Sequence, residues 1–226
     1  MAGRPIGVAG GAARRSRLSR ERIVDAAIAL IERDGSEALS MRRLGNELGV
    51  EGMAIYRYVD GRDALVRAIG DRLLEPLHGV EMTGGWRAAA DRYATALRAI
   101  AVQSPGTFPL IGLQPLDTPM QLQPVERLLD ALIADGFDAC DALAVYRAVA
   151  AYARGYALAE ATGFTVDAAE PAGRRRLLDL AAGEFPILAG RVSELAHLDA
   201  DRGFRVGLDA LLAGLPNPRS SPSAPR

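Results

Sequence analysis

The segment 40–58 concentrates side chains that can recognise nucleic acid. Met53, Tyr56, Arg57 and Tyr58 crowd a predicted helix of about seven residues. An arginine can form two hydrogen bonds with a guanine edge, and a tyrosine hydroxyl can bind a backbone phosphate. A helix this short has little room to bury two tyrosines and a methionine. We therefore expect these side chains to be exposed on a surface that binds DNA.

The candidate DNA contacts fall into contacts with base edges and contacts with phosphates. We predict that Arg57 reads a guanine edge and that Met53 and Ala54 contact a thymine methyl group. The tyrosine hydroxyls and Arg62 suit phosphate oxygens, and Arg42 could reach a base or a phosphate. For any isolated arginine, a solvated face of a helical bundle is the alternative. The predicted DNA-binding residues are Arg42, Gly52, Met53, Ala54, Tyr56, Arg57, Tyr58 and Arg62.

A tight turn must position this helix against the one before it. Residues 48–51 (Leu-Gly-Val-Glu) supply three to four residues between two short helices, as a helix-turn-helix requires. Gly49 can adopt the left-handed conformation of the turn, and Gly45 lies where the two helices need a close approach. The predicted buried residues of this junction are Leu44, Leu48, Val50 and Ile55.

Helices are predicted on both sides of the turn. The first should span 20–34, with Ser19 as N-cap and Gly35 as the left-handed stop. The second should begin after Ser40 and end at Gly49, and the third should cover about 52–58. A fourth helix should follow a capping box formed by Asp60 and Asp63.

The rest of the chain also predicts helices, near 86–103, 118–135, 138–161, 172–182, 184–197 and 199–214. Alanine, leucine and arginine dominate these segments, and no segment alternates branched residues as a strand does. The fold class is therefore all-α. We expect residues 1–17 to be a disordered arm and the Pro- and Ser-rich residues 216–226 to be a disordered tail.

Charge is distributed unevenly along the 226 residues. The net charge is −1, yet residues 1–62 carry +3 and the remainder −4, which suits a phosphate-facing module on an acidic body. Cys140 is the single cysteine, so no internal disulfide can form, and we expect it to be a small buried core residue. No apolar run reaches the length of a membrane span, which predicts a cytoplasmic protein without membrane contact.

Signatures of enzymes are lacking in the sequence. It contains no nucleophile elbow, no Gly-rich phosphate loop, no Cys/His metal cluster and no paired carboxylates near a histidine. We therefore expect neither an enzyme nor a cofactor.

About 50 residues resemble the DNA-binding domain of the tetracycline-repressor (TetR) family. The matching motifs are Ile-x-x-Ala-Ala at 23–27, Gly-x-x-x-Leu-Ser-Met-Arg at 35–42, Leu-Gly-Val at 48–50, Ile-Tyr-Arg-Tyr-Val at 55–59 and Arg-Asp-Ala-Leu at 62–65. Trp86, Pro115, Asp135-Gly136-Phe137, Gly155 and the segment 204–215 are similar to the body of the tetracycline repressors.

The resemblance implies a homodimeric repressor that binds a palindromic operator. The helix-turn-helix domain would span 18–78, and a ligand-binding and dimerisation domain would span 79–215. The helix near 138–161 and the last helix would form a four-helix bundle with their mates, with Ala150, Ala153, Ala157 and Gly207 allowing close approach. Internal core packing is the alternative for these small residues.

The resemblance also places a ligand site in the body, and His78 matches a drug-contacting histidine of the family. The family's metal-binding histidine falls near 110–111, where this chain has Leu and Ile, and its acidic metal-shell residue falls at Ala159, beside Glu160. We therefore expect no metal and an apolar or aromatic effector. The predicted ligand residues are His78, Tyr93, Leu97, Phe108, Leu110, Leu113, Leu128, Tyr152 and Tyr156.

Two functions follow as hypotheses. The first is a repressor released from its operator by a small molecule. The second is an architectural DNA-binding protein without a ligand. A fully packed body favours the second, and a cavity bordered by His78 and Tyr93 favours the first.

Overall fold

The computed structural model describes residues 17–162, 175–176, 178–179, 185–195 and 200–218, and these are helical without any strand. The helices are α1 (Arg20–Asp34), α2 (Met41–Leu48), α3 (Gly52–Ile55), α4 (Gly61–Leu74), α5 (Trp86–Gln103), α6 (Phe108–Gly112), α7 (Pro119–Ala134), α8 (Ala139–Thr162), α9 (Pro186–Leu195) and α10 (Ala200–Gly214). Short 3₁₀ turns at Ser36–Ala38 and Glu75–Gly79 follow α1 and α4. The predicted all-α class is confirmed.

Both ends of α1 lie where the sequence places them. The Ser19 hydroxyl accepts a hydrogen bond from the Arg22 amide at 3.2 Å, which satisfies one free N–H of the first turn. Gly35 ends the helix with a φ of 83°. The buried face of α1 packs against α2 and α4, and its members are Ile23, Val24, Ala27, Leu30 and Ile31.

Two glycines determine the geometry of the α2–α3 turn. Gly49 ends α2 in the left-handed conformation, with a φ of 67°. Gly45 is buried, and a Cβ atom there would lie 2.8 Å from the Val50 carbonyl oxygen and 3.0 Å from the Gly52 nitrogen. Both predicted roles are confirmed. The backbone of the turn packs directly on α2, which fixes the angle between the two helices.

Two predicted details differ from the structure. The α-helical part of α3 ends at Ile55, and tight turns carry the chain on, with the Tyr58 and Val59 amides donating to the Ile55 carbonyl. The capping box at the start of α4 is absent, since Asp60 makes no side-chain capping bond. Gly61, with a φ of 83°, turns the chain sharply into α4 instead.

The body is built around α5 and α8, which pack along each other, with α7 and α10 against both. Ala150, Ala153 and Ala157 are buried in this single-chain core. Their prediction as subunit-contact residues is therefore wrong, and internal packing is the correct alternative. Cys140 is exposed at the start of α8, not buried as predicted, because the first turn of that helix lies at the surface.

Several predictions fall outside the described residues. These are the arm at 1–16, the tail from 219 onward and most of the helix predicted at 172–182. Among the helices that are described, none combines the length and apolar character needed to cross a membrane.

The close approach at Gly45 is testable by adding one methyl group. We expect Gly45→Ala to lower the free energy of unfolding by about 1–3 kcal/mol, because rigid backbone atoms of the turn occupy the space. Urea denaturation followed by circular dichroism measures this change. Gly190→Ala is the matched control, since open space surrounds that exposed helical glycine. There we expect stabilisation of up to about 1 kcal/mol. Equal stability of Gly45→Ala and the parent protein would contradict the assignment.

Candidate nucleic-acid interface and its junction with the body

The turn presents a group of large side chains to solvent. Met53 is 73% exposed, Tyr56 47% and Tyr58 42%, and Arg57 is exposed beside them. Ile55 alone on this short helix is buried, where it anchors α3 to the core beneath. Exposed apolar and aromatic side chains in such a cluster are typical of a binding surface. The predicted exposure of these four residues is confirmed.

Gly52 and Ala54 are only half-exposed. A Cβ atom at Gly52 would lie 3.3 Å from the Met41 carbonyl oxygen, so this glycine faces α2. Its structural role is to let α3 start close to α2. The outward surface of α3 is therefore formed mainly by its longer side chains.

Arginines of this region divide into paired and unpaired groups. Arg43 contacts Asp34 at 2.7 Å, and Arg33 binds both Asp34 and Glu47. The hydrogen bond from Arg33 lowers the pKa of the Asp34 and Glu47 carboxyls below their ordinary values. This exposed network joins the end of α1 to α2.

By contrast, Arg42, Arg57 and Arg62 are exposed and make no ion pair with any part of the chain that the structure describes. Their guanidinium groups keep every donor available for an external anion. These are the three arginines that the sequence selects as candidate DNA contacts, so the free cations of this region lie beside α3.

A carboxylate on α1 connects this surface region to the body. Glu32 accepts hydrogen bonds from the Gly106 amide at 3.0 Å, the Thr107 amide at 2.8 Å and the Thr107 hydroxyl at 2.5 Å. Thr107 is fully buried immediately before α6. Because one carboxylate satisfies three donors, α1 and the start of α6 are held together.

A second set of polar contacts joins α4 to α7. Asp71 of α4 accepts hydrogen bonds from the Thr118 hydroxyl and from the Gln121 side-chain amide, the latter at 3.0 Å. The Nε2 atom of His78 lies 2.8 Å from the Met120 carbonyl oxygen, and the His78 carbonyl accepts from Arg127. His78 therefore lies at the junction between α4 and the body, where its ring contacts the backbone of α7.

A cavity of about 380 Å³ lies between α4 and the segment 110–121. Leu110 lines it, and it is the one residue among the predicted ligand contacts to do so. Leu113, three residues further on, is 80% exposed and does not line it. The cavity is thus adjacent to the DNA-binding region, and neither His78 nor Tyr93 borders it.

Four other predicted ligand residues lie in the packed core of the body. Tyr93, Leu97, Phe108 and Leu128 are at most 2% exposed. The Tyr93 ring meets Tyr146 edge to face with 6.1 Å between centroids. Burial raises the pKa of the Tyr93 hydroxyl above its ordinary value. These side chains form an apolar, aromatic interior.

Tyr152 and Tyr156 lie on another side of α8, against α10. Their hydroxyls donate to the Phe204 and Ala200 carbonyls, at 2.7 and 2.9 Å, and both rings pack on Phe204. A Cβ atom at Gly207 would overlap the Tyr152 hydroxyl, so this glycine accommodates a tyrosine of the same chain. The close approach at Gly207 therefore occurs within one chain, and its role as a subunit contact stays a prediction.

The acidic residue beside the family's metal position is already paired. Glu160 binds Arg98 through both carboxylate oxygens, at 2.6 and 2.7 Å, and Arg98 also contacts Asp201. The Arg98 guanidinium lies 4.9 Å from the centre of the Phe204 ring. Across the residues that the structure describes, no cluster of three potential metal ligands occurs.

Sequence reasoning missed Glu32, Asp71, Gln121 and the Arg98–Glu160 pair. Their partners are 47 to 75 residues away along the chain, so no local spacing indicates them. The apolar periodicity of α1 and α4 signals only the buried face. Neither helix shows in sequence which polar residue contacts the body.

Comparison with protein families matches two consecutive parts of the chain. Residues 23–69 match the model described as "Bacterial regulatory proteins, tetR family". Residues 78–218 match the model described as "Tetracyclin repressor-like, C-terminal domain". The boundary between the matches falls at the junction described above.

Whole-length relatives agree with this result. An HTH-type transcriptional regulator of Saccharopolyspora erythraea is 32% identical over 212 residues, covering 88% of this chain and 87% of the relative. The HTH-type transcriptional repressor DrrR1 of Streptomyces coeruleorubidus is 29% identical over 210 residues, covering 88% and 77%. The solved structure of ActR from Streptomyces coelicolor in complex with actinorhodin is 25% identical, with a TM-score of 0.71 over 88% of this chain and 96% of that one.

Removing the Glu32 carboxylate tests the junction. We expect Glu32→Ala to lower the free energy of unfolding by about 1–3 kcal/mol, because it leaves the buried Thr107 donors without their acceptor. Chemical denaturation measures the loss. Glu37→Ala, at an exposed glutamate of the turn after α1, should stay within about 0.5 kcal/mol of the parent. Equal effects of the two substitutions would show that the contact contributes nothing.

Proposed function

Since the chain belongs to the TetR family of bacterial transcriptional regulators, we propose that it is a homodimeric repressor that binds a palindromic operator and is released by a small molecule. The relatives named above are transcriptional regulators, and the chain is accordingly a regulator and not an enzyme. Operator symmetry, subunit association and the nature of the effector are the parts that we propose.

The observation that carries operator binding is the surface of α3 with its free arginines. Met53 projects from α3, Tyr56 and Arg57 project from the turn directly after it, and Arg42 and Arg62 flank them without an ion pair to any described residue. We propose that Arg57 and Met53 contact base edges in the major groove. Arg42, Arg62 and the two tyrosines of α3 then hold the phosphate backbone.

A second copy of the chain is needed for a palindromic site, because each recognition helix covers one half-site. The outer sides of α8 and α10 suit this contact. They expose small or apolar side chains that no helix of the described chain covers, with open space at Gly155 and 63% exposure at Val206. The other exposed members of these faces are Ala144, Ala151, Ala210 and Ala213. Close approach of two such faces would bring the helices together as a bundle.

An effector that releases the operator is supported by the cavity at the junction and by the relative that binds actinorhodin. The aromatic interior with Tyr93 and Phe108 suits an apolar or aromatic molecule, as the sequence predicts. Of the predicted contacts, Leu110 lines the junction cavity, whereas Tyr93 and Phe108 lie in the packed core and Tyr152 and Tyr156 pack against the last helix. Neither His78 nor Tyr93 borders the cavity, which is what the architectural alternative expects, and the ligand-bound relative favours the repressor.

Operator recognition is tested by truncating the two central side chains of α3. We expect Arg57→Ala to weaken specific binding about five- to 150-fold, since a good bidentate base contact contributes about 1–3 kcal/mol. Tyr56→Ala should also weaken binding, because it removes a phosphate contact. The DNA is first selected from a random oligonucleotide pool, and affinities are then measured by fluorescence anisotropy at fixed salt. Arg191→Ala, at an exposed arginine of α9, is the control and should leave binding unchanged. Parent-like affinity in both α3 variants would refute the assignment.

Subunit association is tested by introducing a glutamate at either of two exposed valines. Val206 on α10 and Val102 on α5 are 63% and 57% exposed. We expect Val206→Glu to shift the protein to a monomer, because it buries a carboxylate without a partner in the subunit contact. Val102→Glu should remain a dimer. Light scattering after size-exclusion chromatography measures both masses, and a dimer of Val206→Glu would place the contact on another face.

A further inference from the structure

The cavity at the junction has two distinct walls. One is a single face of α4, on which Arg62, Val66, Gly70 and Leu74 recur every four residues. The other is the segment 110–117 together with Gln121. Its volume of about 380 Å³ lies within the range of small-molecule sites. Because α4 also packs against α1, this cavity lies against the helix that connects the two regions.

The apolar part of the cavity wall is formed by buried and partly buried side chains. Leu74 and Ile111 are buried, and Leu110 and Leu116 are partly buried. Gln121 is also buried, but its amide already bonds Asp71 and the Arg67 carbonyl, so it needs no further partner. Gly70 lets Gln121 pack closely against α4, because a Cβ atom at that position would lie 2.9 Å from the Gln121 amide nitrogen. An apolar group therefore suits the interior.

The outer part of the cavity is charged. Asp63 lies in the first turn of α4, and Asp117 directly precedes the Thr118 N-cap of α7, so both carboxylates stabilise the positive ends of helix dipoles. Arg62 and Arg67 have no comparable role. Both are exposed and make no ion pair with the described residues. The outer part thus offers two guanidinium groups beside two carboxylates, and an anionic group suits the side formed by Arg62 and Arg67.

We propose that this cavity binds a small amphipathic anion, with its apolar part between Leu110 and Leu74 and its anionic group on Arg67 and Arg62. Arginine suits this role because its planar guanidinium binds carboxylate and sulfonate oxygens in pairs and stacks on aromatic rings. The site is separate from the aromatic interior around Tyr93. It depends on the exposed rim of α4 and needs no opening of the packed core.

Arg62 connects ligand binding in the cavity to operator binding, and this step rests on the proposed function. Arg62 lines the cavity and is also the proposed phosphate contact at the start of α4. One guanidinium cannot hold both anions fully, so occupation of the cavity lowers operator affinity. The ligand thereby acts on the DNA contact itself as well as on the packing of α4.

The probe for the test is 1-anilinonaphthalene-8-sulfonate, an aromatic anion whose fluorescence rises in apolar surroundings. It is titrated into the full chain without DNA. We expect one saturable site per chain. Arg67→Gln, which removes the charge, and Leu110→Trp, which fills the cavity, should each lower the affinity for the probe at least tenfold. The matched controls are Arg147→Gln, Arg57→Ala and Leu113→Trp, which change exposed residues outside the cavity and should bind the probe like the parent protein.

A separate measurement compares operator affinity with and without bound probe. Saturating probe should weaken operator binding at least fivefold in the parent protein and leave Arg67→Gln unaffected. Equal probe affinity in Arg67→Gln, Leu110→Trp and the controls would overturn the site. Probe binding at the cavity with unchanged operator affinity would overturn the coupling. Loss of operator binding in the probe-free parent would instead contradict the proposed function, and the fluorescence titration would still decide the site.

Discussion

Helix α4 packs within one continuous hydrophobic core, on one side with α1 and on the other with the body, and the arrangement of the molecule depends on this position. Leu65 and Ile69 are buried with α1 beneath the candidate DNA surface, while Gly70 and Leu74 face the body across the junction cavity. A helix buried on two sides cannot shift against one part of a packed core without disturbing the other. Helix α4 is therefore the element through which a change near α6 or α7 would reach the turn that carries α3.

Polar contacts at the junction complement this shared packing. Glu32 holds α1 to the start of α6, and Asp71 holds α4 to α7. The two carboxylates lie on different helices of the DNA-binding region and contact different helices of the body. Rotation of one region against the other must break at least one of them. The cavity lies between α4 and the segment from α6 to α7, so a molecule bound there would act directly on these helices.

Arginines that form ion pairs with carboxylates have a structural role, whereas arginines without an ion pair are available to ligands. Arg43 and Arg98 are held by carboxylates and stabilise contacts between helices. Arg57, Arg62 and Arg67 make no ion pair within the described ranges, and they lie on α3 and along the face of α4. Composition gives no such distinction, because every basic residue of this chain is an arginine. Arg20 and Arg147 are likewise exposed without an ion pair to a described residue, so position beside α3, and not pairing alone, distinguishes the proposed operator contacts.

Local signals determined the helical class, the bounds of α1, α2 and α5, and the glycines of the turn, because capping and left-handed backbone act within a few residues. They also indicated which side chains of α3 are exposed, since a helix of one turn has little buried face. The location of the cavity, the partners of Glu32 and the internal position of the alanines of α8 followed only from the tertiary structure. An alanine-rich helical face suits an internal core and a subunit contact equally well, and only the neighbouring helices decide between them.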